Sequence, residues 1–522
     1  MLVAPLRSNR PRGYVSQSAS MPAPTEGWDD ESPLADMSPK RATIMDNWFP
    51  QPSYVELRRG WKSHSDTLET VAVKSLMAYH APNGANDKLF AVCNDTVYDV
   101  SSSSAAASSI TTLTQAAVQH VNFTTSGGSY LYFVNGADAP RAYDGSSWST
   151  PAITGVDETT FININIFKNR LYFIPISSTK VWYLAVDSIA GAATSFELGG
   201  VMSRGGSVTA MGTITIDGGS GPDDHAVFIT SEGQAIVYQG SDPSDSNAWA
   251  LVGVYDIPPP LGRRCLSKIA GDLGILTTSG LLPLSKAMVV DKAAVDNVAL
   301  TNRINNTFTS AARQYSGNFG WQACVYPRSN MCIVNVPLVE AGASHQYVMN
   351  TLHGAWCRFT AQNAACWEVF QDRLFFGGQD GVVYEADAAA SDGGDPITAD
   401  LKTAWNYYGT KGALKQWKMV KTMVFSDGRV APGIRMNVDY RDAVPTYIPS
   451  QGTLSNILWD EVDWDEVNWP EDALVTNKWQ SVQAVGQCAA IRIRVVADSD
   501  NTTPIVLQVN GFEVIFERGG FL

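Results

Sequence analysis

Two arginine pairs and one acidic run punctuated by tryptophan are where this 522-residue chain gathers groups able to act on a ligand. Arg58–Arg59 and Arg263–Arg264 each present two guanidinium forks, a geometry suited to phosphate or carboxylate. Ion pairing at a surface or interface is the commoner use of such pairs. The run Leu458-WDEVDWDEVNW-Pro470 sets Trp459, Trp464 and Trp469 five residues apart, with Asp460, Glu461, Asp463, Asp465 and Glu466 between them. Five is neither a helical nor a strand period, so the run reads as a loop or short irregular strand. Its tryptophans suit either the edge of a sheet or the anchoring of a neighbouring subunit. Its carboxylates are either solvated or calcium ligands, though the D-x-D-x-D-G ladder of a calcium loop is missing.

Motifs for catalysis are sparse. There is no phosphate-binding G-x-x-x-x-G-K-[ST], no H-E-x-x-H, no G-x-S-x-G and no C-x-x-C. His225 adjoins Asp223 and Asp224 at the start of a strand pattern, where a turn carboxylate pair with an orienting histidine explains it better than a catalytic dyad does. Tyr143-DGSS-Trp148 keeps the Asp, Gly and Trp of a sialidase-type box at the wrong spacing. The seven cysteines are an odd number, scattered and mostly set in apolar strands, which describes buried thiols rather than a disulfide or zinc framework. The expectation is a chain that is not an enzyme and holds no cofactor.

The elements that must position these groups announce themselves by repetition. An apolar strand, a small polar or glycine turn and a second strand usually ending in Tyr recur at 88–100, 130–145, 170–187, 226–242, 273–286 and 373–387, with a looser copy over 331–360. Starts separated by about 40 to 60 residues are the period of a β-propeller with variable outer loops. In Leu374, Phe375, Phe376 and in Val382, Val383, Tyr384, long apolar side chains fall on both faces of a strand. A lone sheet would leave one such face in water, whereas sheets stacked around an axis bury both. Asp380-Gly381, Glu232-Gly233 and Ser279-Gly280 offer the positive φ of tight hairpins. The reading is an all-β fold: a β-propeller of six or seven blades, with a pair of β-sandwiches as the alternative.

Composition divides the chain into three. Residues 1–60 are rich in Pro, Ser, Asp and Arg with little periodicity, and read as an extended N-terminal arm that orders against something else. Within it Trp48, Phe49 and Tyr54 are candidate aromatic anchors on a neighbour, or packing groups on their own propeller. Residues 61–395 hold the repeats, and the small acidic stretch at 388–396 marks a boundary. Residues 396–522 carry longer alternating strands, read as two hairpins at 420–441 and 490–517 in a sandwich-like domain. A net charge of −14 argues against gripping nucleic acid by its phosphates, yet an acidic wall lets DNA slide past without sticking. No apolar run is long enough for a membrane helix and the N-terminus lacks a secretory apolar block, so no membrane insertion is expected.

Three stretches, 27–62, 211–245 with Gly262-RRC-Leu266, and the tryptophan run 459–469, together resemble the tail nozzle, or tail tubular protein B-like, structural proteins of short-tailed bacteriophages. The resemblance spans about residues 27 to 520 and rests on family phrases rather than chemical motifs. It implies a β-propeller combined with smaller β domains and a homohexameric ring below the tail adaptor protein on the portal. It further implies a virion tail assembled in the host bacterial cytoplasm and genome DNA leaving through the lumen without sequence-specific binding. A tail fibre or a needle or plug protein is a further expected partner. It brings no catalytic residues. The candidate interface set is therefore Trp48, Phe49, Tyr54, Arg58, Arg59, Trp459, Trp464 and Trp469. Two alternatives remain: a propeller module that attaches tail fibres or host-surface glycan, and an enzyme hydrolysing surface polysaccharide, for which no carboxylate pair stands out.

Overall fold

The computed structural model describes residues 16–107, 110–217, 222–245, 247–269, 271–290, 294–426, 430–448, 474–476, 478–497 and 503–521. Seven antiparallel sheets follow one another along the chain from Val73 to Ala389. Blade 1 comprises Val73–Tyr79, Lys88–Cys93, Thr96–Asp99 and Ala106–Ala107, and blade 2 Gln119–Thr125, Gly128–Val134, Arg141–Tyr143 and Trp148–Ser149. Blade 3 comprises Phe161–Phe167, Arg170–Pro175, Lys180–Tyr183 and Thr194–Glu197, and blade 4 Val208–Asp217, Pro222–Thr230, Gln234–Gly240 and Trp249–Asp256. Blade 5 has three strands, Leu266–Ile269, Asp272–Thr277 and Gly280–Pro283. Blade 6 is Gln322–Tyr326, Met331–Pro337, Ser344–Asn350 and Trp356–Phe359, and blade 7 is Ala364–Phe370, Arg373–Gly378 and Val383–Ala389 with Gly60–Ser63 as its fourth strand. The phrase repeated in the sequence is the second and third strand of each blade.

Burial on both faces explains why the sheets stack. Leu374 and Phe376 pack toward blade 6, while Phe375 between them packs toward blade 1. Tyr172 and Ile174 join the core shared with blade 4, and Leu171 and Phe173 the core shared with blade 2. Such cores link blades 1 and 2, 2 and 3, 3 and 4, 4 and 5, and 5 through 7. A last one joins blade 7 back to blade 1, closing the ring. Each large apolar side chain so buried contributes about 1.5–3 kcal/mol. The hairpin glycines have the expected positive φ, and at Gly381 (φ +81°) a Cβ would lie 1.7 Å from the Glu69 carbonyl oxygen, so no other residue fits.

Blade 5 departs from the repeat. Short helices Leu284–Ala287 and Val295–Val298 and the longer helix Asn305–Tyr315 follow its third strand, and Phe308 of the last is buried against Trp321 and Tyr347.

The segment read as an extended arm is woven into the body over its described part. Ser16–Pro22 pairs with Leu507–Phe521, and the hairpin Trp48–Pro50/Val55–Leu57 pairs with the same strand. Ala42–Asp46 lies between Ile397–Thr403 and the outer strand of blade 6, where Asp46 meets Arg358 in register and pairs with its guanidinium at 2.6 and 2.7 Å. Gly60–Ser63 then closes blade 7. These pairings satisfy backbone groups that a free arm would leave to water.

The tail is a two-sheet sandwich that shares a sheet with the propeller. Blade 6 continues through Ala42–Asp46 into Ile397–Thr403, Ala489–Ala497 and Gly433–Val438, making eight strands in all. The facing sheet centres on Leu507–Phe521 and Ala413–Ser426, the latter also pairing with Trp479–Gly486. Ile491, Ile493 and Val495 of one sheet and Trp417, Val420 and Val514 of the other belong to one core. The two expected hairpins are not hairpins. Ala413–Ser426 and Gly433–Val438 lie in opposite sheets, as do Ala489–Ala497 and Leu507–Phe521. Alternation gave the strands but not their partners, because each connection crosses the sandwich rather than turning back on one sheet. Among the described residues no helix is long and apolar enough to cross a membrane.

Candidate functional site

Two places set several charged groups around a cavity. The first is a groove of about 550 Å³ between the 48–57 hairpin, blades 6 and 7, and the strand beginning at Leu507. Arg58, one of its wall residues, is 2% exposed and uses all five of its N–H donors inside the chain. Its Nη1 and Nη2 clamp Asp392 at 2.8 and 2.6 Å, Nε reaches Asn47 Oδ1 at 2.7 Å, and the remaining two donors meet the carbonyls of Arg59 and Thr360. Asn47, in the left-handed region at φ +61°, accepts from the Thr360 N–H as well. Arg58 is thus a staple holding the 388–396 segment to the hairpin, not a ligand for a partner.

Arg59 beside it is exposed and faces the groove with Arg328, Glu56 and Asp387. Burial pushes the Glu56 and Asp387 carboxyls above the usual carboxylate range, against the opposing pull of Gln51, Ser329 and Arg59. Of the expected aromatic anchors, Trp48 and Phe49 are 0% and 1% exposed in the chain's own core, so they have no surface for a neighbour. Tyr54 is half-buried in the turn of the hairpin. Trp459, Trp464 and Trp469 lie outside the described residues.

The second place is the propeller axis. The first strand of every blade runs there with one edge free of a sheet partner, and polar side chains of neighbouring blades bond to those edges. Asn122 Nδ2 donates to Ala78 O and its Oδ1 accepts from His80 N. Asn163 Oδ1 accepts from Met211 N, while Asn165 Nδ2 donates to Met211 O. Gln322 makes the same two-way pairing with Trp367, and Ser75 with Val118 N and Ala116 O. Side chains here do the work of a missing strand.

These strands enclose a cavity of about 190 Å³ that adjoins a second of about 260 Å³, both lined by Gln119, Arg263 and Arg264. The loop entering blade 5 carries the two arginines. Arg264 Nη2 crosses the axis to Lys74 O at 2.9 Å, Ser75 Oγ at 2.6 Å and Val118 O at 3.2 Å, on the side of blades 1 and 2. Its guanidinium lies 5.3 Å from the Phe319 ring, against which Lys74 sits at 5.6 Å. Arg263 makes one long bond, 3.4 Å to Asn135 O. Neither arginine forms an ion pair with a described carboxylate, whereas Arg58, Arg358, Arg373 and Arg492 all do.

Across the cavity stand His120 and Glu368, 3.6 Å apart (Nε2 to Oε2). Burial, and then the charge of Arg264, hold the His120 imidazole down at about 4. Burial raises the Glu368 carboxyl to about 7 against the Val369 N–H and Arg264. Near neutrality the imidazole is neutral and the carboxyl is losing its proton, so their contact is a neutral one rather than an ion pair.

The remaining sequence candidates are structural. His225 is buried in the second strand of blade 4, and its neighbour Asp224 bonds Lys168 and Thr215 instead. Asp144 accepts from the backbone of Ser146 and Ser147, which holds its carboxyl down at about 2, and Trp148 packs on Phe90 and Phe133. That phrase is a turn and an aromatic plug. All seven cysteines are free thiols, and burial raises Cys93 to about 11 and Cys265 to about 12. No group of three His, Cys, Asp or Glu is placed to hold a metal among the described residues.

Sequence reasoning found the Arg263–Arg264 pair but not its place on the axis, and it missed Glu368, His120 and the amide ladder. A signal was present in Phe161-ININI-Phe167, where Asn163 and Asn165 interrupt an apolar strand two residues apart. Polar groups at that spacing share a face, here the one turned to the next blade.

No family model and no curated protein matches this chain. Solved structures that align with it include BBS1N in complex with ARL6DN, at 10% identity and a TM-score of 0.40, over 63% of this chain and 97% of that one. The WD40 β-propeller domain of Doa1 aligns at 8% identity and 0.37, over 64% and 97%, and the computationally designed protein Ika8 at 9% and 0.35, over 62% and 99%. Likenesses this distant carry no argument about function, and the propeller stands on its own sheet order.

Proposed function

We propose that this chain is a structural protein of a short-tailed phage virion, one subunit of a tail-nozzle ring below the portal adaptor that retains the genome and conducts DNA during ejection. The observation that carries this reading is the eight-stranded sheet running from blade 6 through Ala42–Asp46 into the sandwich. A sheet continuous across both lobes resists hinging between them, and a ring subunit needs that stiffness. The family phrases at 27–62, 211–245 and 459–469 point the same way. The propeller axis is crossed by Arg264, and the cavities beside that arginine are about 190 and 260 Å³, so the conduit in this reading is the lumen between copies. The net charge of −14 suits such a wall, since it repels phosphates.

Electron microscopy of the purified chain and of particles tests the proposal. The expected result is a closed ring of six subunits and the same ring in the tail. A chain that stays monomeric at high concentration and is absent from particles overturns it.

A second reading is a propeller module that attaches a tail fibre or host glycan. The mixed-charge groove beside Arg59 and Asp387 favours it as a place for polar ligands. Binding on a glycan array that Arg59→Ala weakens supports this reading, and a silent array together with tails that assemble without fibres removes it.

A further inference from the structure

We propose that the propeller axis binds a small oxyanion of the phosphate class between the guanidinium groups of Arg263 and Arg264. Two adjacent cations, both half-buried, line two neighbouring cavities and form no ion pair with a described carboxylate. A buried charge without a counterion is costly, and in this chain acidic residues outnumber lysine and arginine 51 to 37, so pairing partners are not scarce. Folding has nevertheless placed none within ion-pairing distance of this pair: Glu368 stands across the first cavity, where it acts on Arg264 only through space, and Glu340 on the wall of the second is bonded to the Phe319 N–H.

The local geometry is that of a receptor rather than a staple. Arg264 is fixed by Lys74 O, Ser75 Oγ and Val118 O, all through Nη2, and its guanidinium also meets the Cys366 thiol, so Nη1 and Nε have no oxygen acceptor in the chain. Arg263 spends one Nη1 donor on Asn135 O and keeps the rest. Free donors on two neighbouring planar forks match a tetrahedral oxyanion. Gln119, which lines both cavities, adds a neutral amide, and Lys74, 5.6 Å from the centroid of the Phe319 ring, adds positive potential nearby. The cavities hold several waters' worth of space, at about 30 Å³ per water, enough for phosphate and its bridging waters and too little for a duplex. The ligand is therefore inorganic phosphate or the terminal phosphate of a nucleotide. This inference does not rest on the tail reading, and either can fail without the other.

The test is isothermal titration calorimetry of the full chain at low salt, with inorganic phosphate and with adenosine monophosphate, on wild type, R263Q and R264Q. Arg263 has a single long contact in the chain, so R263Q keeps the ligand-free melting temperature. The expected result is saturable binding to wild type and at least about tenfold weaker binding to R263Q. Phosphate binding alone identifies the free ion as the source, and binding of the nucleotide alone identifies a phosphate monoester. No saturable heat from either ligand at about 1 mM, or equal affinity of wild type and R263Q, overturns the proposal. If R264Q unfolds, R263Q still decides the matter.

Discussion

The chain contains two Arg-Arg pairs that look alike in sequence and serve opposite ends in the fold. At 58–59 the first arginine is sealed in, with Asp392 across from it and every donor used, and the second stands in open groove. At 263–264 both arginines line the cavities of the propeller axis with donors to spare and form no ion pair with a carboxylate among the described residues. The difference lies in what the rest of the chain brings to each place. The boundary segment carries Asp392 to Arg58, whereas the axis is walled by amides and hydroxyls already bonded to neighbouring backbone, and Glu368 there stands across the cavity beside His120. A paired charge becomes part of the structure, and an unpaired one remains available to a ligand.

The sharpest way to break this comparison is to remove each charge. Arg58→Met leaves Asp392 buried and alone, and is expected to cost about 3–5 kcal/mol in equilibrium urea unfolding. Arg264→Met loses three bonds to neutral acceptors but also removes an unpaired charge, and is expected to cost about 1 kcal/mol. Equal losses would mean that the axial arginine is a staple too.

A smaller effect probes the axis through pH. Glu368 is held at about 7 rather than the ordinary 4.5, so the folded chain keeps a proton that the unfolded chain has lost. Its contribution is complete below 4.5, declines as pH rises and is gone above about 7. His120 is held at about 4 rather than 6.5, so the folded chain lacks a proton that the unfolded chain binds. Its contribution is complete above 6.5 and is lost as pH falls through about 4. The slopes oppose each other between 4.5 and 6.5. Arg264 keeps its charge throughout this window, and the nearby thiols of Cys324 and Cys366 titrate above it. Stability of Glu368→Gln is therefore expected to rise from pH 4 to 6.5, and that of His120→Gln to fall from 4.5 to 7. Identical pH profiles for the two variants would refute the enclosed axis.

The smallest effect belongs to Arg59. Arg59→Ala is expected to stay within about 0.5 kcal/mol of wild type, as an exposed residue beside a fixed one should. A larger loss would place Arg59 in the staple and blur the contrast between the pairs.

What could be read from the residues follows the range of the interaction. The second and third strands of every blade were legible because alternation such as Leu374-Phe375-Phe376 and turns such as Asp380-Gly381 act over a few residues. The four strands contributed by residues 42–63 were not, since Ala42–Asp46 finds its partner at Ile397–Thr403, some 350 residues on, and nothing local specifies that pairing. The same holds for the tail, where alternation marked Ile491, Ile493 and Val495 as one buried face but could not say that the following strand belongs to the other sheet. At the axis the arginine pair was visible and its setting was not, because Glu368 and His120 come from blades 7 and 2.

By itself the sequence determined that the chain is built from β-hairpins apolar on both faces, and that such units must stack. Period, side-chain alternation and turn chemistry are all local, so they are written in the order of residues. Only the tertiary structure decided that there are seven blades, that the N-terminal strands stitch propeller to sandwich, and which arginine pair is neutralised. Those outcomes depend on groups hundreds of residues apart meeting across an interior of low dielectric, where the presence or absence of one carboxylate settles what a charge can do.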